Sequence, residues 1–167
     1  MKKMTEQNLT EAFAGESQAH IKYISFAERA ERDGWSNIAR LFRAASYAEQ
    51  CHAGAHLRQL KGIGGTAENL EAAIGGETFE FESMYPAYEA VAITEGEKGA
   101  LTSIQRAMGA EKVHAMLYTR ARESVGGNRD VELGQMVVCP VCGWTHEGDS
   151  PDACPLCNTK KERFVTF

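Results

Sequence analysis

Glu49-Gln50-Cys51-His52 and Glu111-Lys112-Val113-His114 each place a carboxylate three residues before an imidazole. Residues three apart share a helix face, so each pair can close on one metal ion and leave a carboxylate oxygen free to bridge to a second. One such pair is an ordinary helix surface. Company changes the reading: Glu16 lies in an earlier helical segment, and Glu77 and Glu80 form a Glu-x-x-Glu pair in a later one. Seven ligands drawn from four segments point to a two-metal site. A second constellation lies near the C-terminus, where Cys139, Cys142, Cys154 and Cys157 form two C-x-x-C pairs. Four thiolates from two tight knuckles make a tetrahedral sulfur site suited to zinc or iron. A pair of disulfides is the competing reading of the same cysteines.

The elements that must position these side chains are legible as four helices. Leu9, Phe13, Ala19, Tyr23, Phe26 and Ala30 recur at helical spacing and predict a first helix from about Thr5 to Asp33. Asp33-Gly34 stops it, and Ile38, Leu41, Phe42, Ala45, Ala48 and Leu57 carry a second from Ser36 to about Leu60. Gly62-Ile63-Gly64-Gly65 breaks the pattern. A third helix is expected from Thr66 to about Thr94, with Pro86 kinking it through a missing backbone donor. A fourth runs from about Glu97 to Val125 and ends at Gly126-Gly127. Glu16 and Glu49 are nearly equidistant from Gly34, as are Glu77 and Glu111 from Glu95-Gly96. Antiparallel hairpins therefore bring each pair of acids to one level.

One acid from each of two helices and Glu-x-x-His from each of the other two is the ligand pattern of ferritin-like di-iron bundles. There the second and third helices run parallel, so their link must travel the bundle's length. A helix of about 25 residues is about 38 Å long, whereas the roughly six residues from Lys61 to Thr66 span about 20 Å at most. An up-down-up-down monomer and a hairpin-swapped dimer both satisfy this. The swapped dimer is the expectation, because it preserves the two-fold metal geometry and exchange of identical elements is a low-cost route to dimers.

With 18 basic against 23 acidic residues and a net charge of -5, a nucleic-acid or anionic-membrane partner is disfavoured. No apolar run approaches the length of a membrane span, and polar residues follow Met1-Lys2-Lys3 where a signal peptide would be apolar. A cytoplasmic protein is expected. In a reducing compartment clustered cysteines bind metal more often than they pair. The expected division is a four-helix domain over 1–127, a polar linker over 128–135 and a small metal-stapled β domain over 136–167, too small to fold on apolar burial alone.

Across nearly the whole chain these residues resemble the rubrerythrin family, a ferritin-like di-iron domain followed by a rubredoxin-like domain. The motifs that carry the resemblance are F-A-G-E-S-Q-A (13–19), A-E-Q-C-H (48–52), G-E-T-F-E-F-E-S-M-Y-P (76–86), A-E-K-V-H (110–114), C-P-V-C-G-W-T-H-E-G (139–148) and C-P-L-C (154–157). The resemblance implies a di-iron centre held by Glu16, Glu49, His52, Glu77, Glu80, Glu111 and His114, with Glu49 and Glu111 bridging. It implies a single iron on Cys139, Cys142, Cys154 and Cys157. It also implies that one iron exchanges a carboxylate for a histidine on reduction, setting Glu80 and His52 in competition. Tyr23 is placed near the irons by the family, either hydrogen-bonded to a ligand carboxylate or packed in the core, and Tyr85 more weakly so.

The function these sites imply is a peroxidase that protects against oxidative stress. Two adjacent irons deliver two electrons to the O–O bond of hydrogen peroxide, and the four-thiolate iron relays single electrons from an external donor such as a rubredoxin or an NAD(P)H-dependent reductase. Little reach in the linker predicts a relay from the rubredoxin-like domain of one chain to the di-iron site built around its partner. A ferroxidase or iron-handling protein is the alternative, although storage needs no electron inlet. A zinc-ribbon adaptor would leave seven converging ligands unexplained. Among the remaining residues, His20 and His56 are expected at the surface or supporting a ligand, His146 exposed, Cys51 packed as a small apolar side chain, and the Met and aromatic positions in the core.

Overall fold

The computed structural model describes all 167 residues, which fall into two compact units, 1–64 and 65–167. In the first, α1 (Lys3–Arg32) and α2 (Ser36–Gln59) pack as a hairpin. Its turn uses Gly34 at φ +83°, a left-handed conformation that glycine adopts without a Cβ penalty. The seam between the helices is lined by small residues: Ala27, Ala30, Ala39, Ser46 and Ala53 are buried. Bulky side chains stand outside it. Ile21, Phe26, Trp35, Ile38, Leu41 and Tyr47 are all exposed, so the expectation that the aromatic positions form the core fails for Phe26, Trp35 and Tyr47, while Phe13, Tyr23 and Phe42 are half-buried. Two helices share a single contact face, and an apolar stripe wider than that face leaves part of itself uncovered.

The second unit holds α3 (Thr66–Phe79), a π turn (Glu80–Met84), α4 (Tyr85–Glu95) and α5 (Lys98–Gly126). The Gly65 N–H donates to Glu68 Oε2 at 2.7 Å and closes the start of α3. Pro86 acts differently from the kink expected of it. The Tyr85 N–H donates to the Glu80 carbonyl five residues back, and Pro86 falls in the first turn of α4, where its missing donor is tolerated. Gly96, at φ +73°, ends α4. Both α3 and α4 pack on α5.

Asn128, at φ +53°, lies just past the C-terminal end of α5. The segment that follows leads into three short antiparallel strands, β1 (Met136–Val138), β2 (Thr145–Glu147) and β3 (Val165–Thr166), in the order β2-β1-β3. Val137 pairs with His146 on one side and Thr166 on the other. The core of this sheet module is Cys139, Cys142 and Cys154, with Trp144, Cys157 and Phe164 packed around them. No helix of the chain is long and apolar enough to cross a membrane.

Candidate metal centres

In the first unit α1 presents Glu16 and α2 presents Glu49 and His52, with their ligand atoms all within 4.8 Å of one another. His52 Nδ1 lies 3.0 Å from Glu49 Oε2 and 4.0 Å from Glu16 Oε1. Hydrogen bonding to His52, then to Glu16, holds the Glu49 carboxyl below its ordinary range. The register that brings Glu16 level with Glu49 is locked one turn away. The buried Ser46 hydroxyl donates to the His20 carbonyl at 2.9 Å, and the His20 Nδ1–H donates to the Ser46 carbonyl at 2.9 Å. His20 is thus a clasp between the helices, and Ser46 a partner that sequence reasoning missed.

The second unit repeats the arrangement. Glu77 from α3 and Glu111 and His114 from α5 bring their ligand atoms within 4.8 Å, and His114 Nδ1 is 2.7 Å from Glu111 Oε2 and 3.9 Å from Glu77 Oε1. Glu80 stands close enough that, after burial, the Glu111 carboxylate raises its pKa. Tyr85 is raised by burial, then by Glu80, Glu111 and Glu77, so its phenol stays protonated beside the acids. Tyr23 differs. Its ring packs against Phe26 and Phe42 at centroid distances of 6.1 Å, which favours the packing role over the hydrogen-bonding one.

The two histidines are held unequally. His114 Nε2 lies 2.9 Å from Thr145 Oγ1 and 3.3 Å from the Gly143 carbonyl, while the Thr145 hydroxyl itself donates to that carbonyl at 3.0 Å. With the hydroxyl proton so engaged, Thr145 Oγ1 can accept from Nε2–H, and a metal would then take Nδ1, which here meets Glu111 Oε2 at 2.7 Å. A ligand histidine is commonly fixed this way by a hydrogen bond from its far nitrogen. His52 has only the neighbouring acids as partners, and its side chain is 58% exposed against 24% for His114. Replacing Thr145 with valine is expected to cost about 10- to 100-fold in iron affinity at this half of the site, measured by competitive chelation. Neither Thr145 nor Gly143 was signalled by periodicity, because the contact spans some thirty residues of sequence.

The four cysteines converge, with Cys139 Sγ 3.4 Å from Cys157 Sγ and Cys142 Sγ 3.5 Å from Cys154 Sγ. Disulfide sulfurs stand about 2.0 Å apart, so these are unpaired thiols near the edge length of a tetrahedral metal site, about 3.8 Å for bonds of about 2.3 Å. The knuckles are built alike. Gly143 N–H donates to the Cys139 carbonyl and Asn158 N–H to the Cys154 carbonyl, at 2.9 and 2.8 Å, and both donors take positive φ, +77° and +61°. Burial pushes the Cys142 and Cys154 thiols up. Cys157 is brought down to about 6 despite its burial, chiefly by hydrogen bonds from Thr159. Two expectations fail nearby: His146 is half-buried and stacked on Trp144 at 5.2 Å and 9°, and Cys51 is exposed, one step around the helix from the ligand face.

The sulfur module lies against α5 of its own unit. The linker and β2 are tied back by Glu147, which accepts from the Gly134 N–H at 2.7 Å and from Arg120 on α5. Gly143, the residue after Cys142, thus meets His114 of the same chain.

The donor chemistry fits iron at both places. In the second unit, burial and then the Glu111 carboxylate push Glu77 up to about 7, a crowding of acids that a bound cation relieves. Iron loading there is expected to weaken as pH falls through about 7, because the metal must displace the Glu77 proton. Calorimetry in buffers of different ionisation enthalpy reads the released proton, and uptake independent of pH between about 6 and 8 would contradict it.

Carboxylate and imidazole donors in each of two helical units, with a four-thiolate module beside the second, define a protein with two kinds of iron site. The family model described as Rubrerythrin matches residues 7–122, and that described as Rubrerythrin, rubredoxin-like domain matches 138–165. Rubrerythrin-2 of Clostridium acetobutylicum is 38% identical over 98% of this chain and 97% of its own length. Nigerythrin of Nitratidesulfovibrio vulgaris is 34% identical over 98% of this chain and 86% of its own. The solved structure of fully reduced, all-ferrous nigerythrin superimposes with a TM-score of 0.58 at 33% identity, covering 98% of this chain and 86% of that one. The chain belongs to the rubrerythrin family. It is an iron-dependent oxidoreductase of oxidative-stress defence.

Proposed function

We propose that the protein is a peroxidase that reduces hydrogen peroxide to water with electrons relayed through its four-thiolate iron. In this reading Glu16, Glu49, His52, Glu77, Glu80, Glu111 and His114 hold two irons, and Cys139, Cys142, Cys154 and Cys157 hold the third. With iron bound, the carboxylate site would supply the two electrons that, with two protons, convert one peroxide to two waters. The observation that carries the reading is the contact of His114 Nε2 with Gly143 and Thr145, which joins an imidazole ligand to the peptide beside Cys142. An electron inlet of this kind has a use in a peroxidase and none in iron storage.

The chain's own residues divide the work. Thr145 keeps His114 in one tautomer and one orientation, so that half of the site is stiff. His52, exposed and without a far-side partner, is the ligand free to move, and we assign to it the competition with Glu80 on change of redox state. Tyr85 keeps a phenolic proton next to Glu80 and Glu111. We further propose a homodimer in which the first hairpin of one chain completes the site with the second hairpin of another. The exposed apolar residues of the first hairpin, such as Ile21 and Leu41, give such a dimer a surface to bury. The functional division is 1–127, 128–135 and 136–167, the donor an external rubredoxin or NAD(P)H-dependent reductase, and the location the cytoplasm.

Turnover with a chemical reductant and iron-loaded protein tests the reading. Peroxide consumed in preference to dioxygen, with no net oxidation of added ferrous ion, is expected. Preferential dioxygen consumption coupled to ferrous oxidation would replace the peroxidase with a ferroxidase.

A further inference from the structure

We propose that Gly109 is a positioning residue for electron transfer: its missing side chain lets Leu156 of the second cysteine knuckle seat directly on α5, and that seat sets the approach of the four-thiolate iron to His114. The proposal rests on the relay described above. A Cβ placed at Gly109 would lie 2.9 Å from Leu156 Cδ1 and 3.0 Å from Cδ2. Both methyls lie against the position, so a side chain there must displace Leu156, which is 38% exposed, or move the knuckle that carries Cys154 and Cys157.

The same side of α5 holds the module at three further places. Ala110, 1% exposed, faces Gly143 across 3.9 Å measured to an ideal Cβ. His114 meets Gly143 and Thr145, and Arg120 pairs with Glu147. From residue 109 to residue 120 this seam runs about 17 Å. With its far end pinned by Arg120, a module lifted at Gly109 pivots, and the sulfur ligands at the lifted end move most. A glycine inside a helix is unfavourable relative to alanine, so Gly109→Ala strengthens α5 locally while disturbing the seat. Helix stability and electron transfer should therefore respond in opposite directions.

The test uses fully reduced, iron-loaded protein mixed anaerobically with peroxide, comparing wild type, Gly109→Val, Leu156→Ala and the Gly109→Ala/Leu156→Ala double variant. Hydrogen exchange of residues 143–147 is measured in parallel. Gly109→Val is expected to slow reoxidation of the sulfur-bound iron about tenfold or more, since misplacement of about 1 Å can have effects of this size. Its visible absorbance should stay intact while exchange at 143–147 rises. The double variant should return the rate to that of Leu156→Ala alone. Wild-type reoxidation and exchange in Gly109→Val would overturn the proposal. If wild type itself leaves the sulfur-bound iron reduced after peroxide, the relay is wrong and the electron-transfer role falls with it. The exchange data then still decide whether Gly109 seats the module.

Discussion

Replacing Cys154 with alanine is expected to abolish the thiolate–iron colour and to unfold residues 136–167, while the helical hairpins keep their circular dichroism. The reason is the poverty of the module's own core. Val137 and Cys139 are its only large fully buried side chains, and complete burial of a valine contributes about 2 kcal/mol. A structural four-ligand metal site contributes on the order of 10 kcal/mol, so the metal dominates. The thiols reinforce this, since burial opposes ionisation of Cys142 and Cys154 and only a metal compensates it. Hydrogen exchange at Met136–Val138 is the direct readout. Wild-type protection of that strand in the metal-free variant would show that the sheet stands without iron.

Glu111→Ala should lower peroxide reduction at least about a hundredfold, beyond the upper range seen when only a ligand's supporting partner is lost, without changing the absorbance of the sulfur-bound iron. Glu111 meets His114 Nδ1 at 2.7 Å, and its charge raises both Glu77 and Glu80. Its carboxylate is thus coupled to every other ligand of that half. The variant should lose its di-iron complement in metal analysis, and turnover at the wild-type rate would remove Glu111 from the site.

The helices, their turns and the convergence of the acids were legible because each is a local or periodic property. Gly34 and Gly96 mark turns through their backbone freedom, and equal spacing about them levels Glu16 with Glu49 and Glu77 with Glu111. The π turn at Glu80–Met84 was not legible. Periodicity registers which side chains share a face, whereas a shift from the fourth to the fifth preceding carbonyl leaves the residue types unchanged. Pro86 signalled trouble at the right place and the wrong remedy. Contacts that cross elements were also invisible: the Ser46–His20 clasp, the Thr145–His114 bond and the seat of Leu156 on Gly109 depend on how finished elements pack. Exposure misled in the same way. Trp35, Leu41 and Cys51 lie outside the α1–α2 seam because alanines occupy it, and composition alone cannot say which apolar residues a given seam selects.

The central claim is that electrons pass from the four-thiolate iron to the carboxylate site and on to peroxide. Anaerobic rapid mixing of fully reduced, iron-loaded protein with hydrogen peroxide, following the visible absorbance of the sulfur-bound iron, tests it most directly. Rapid, stoichiometric reoxidation by peroxide, with slow reaction toward dioxygen and loss of the fast phase in Glu111→Ala, is the result predicted. Reoxidation that is equally fast in Glu111→Ala would contradict the account, because the thiolate iron would then be reacting without the carboxylate site.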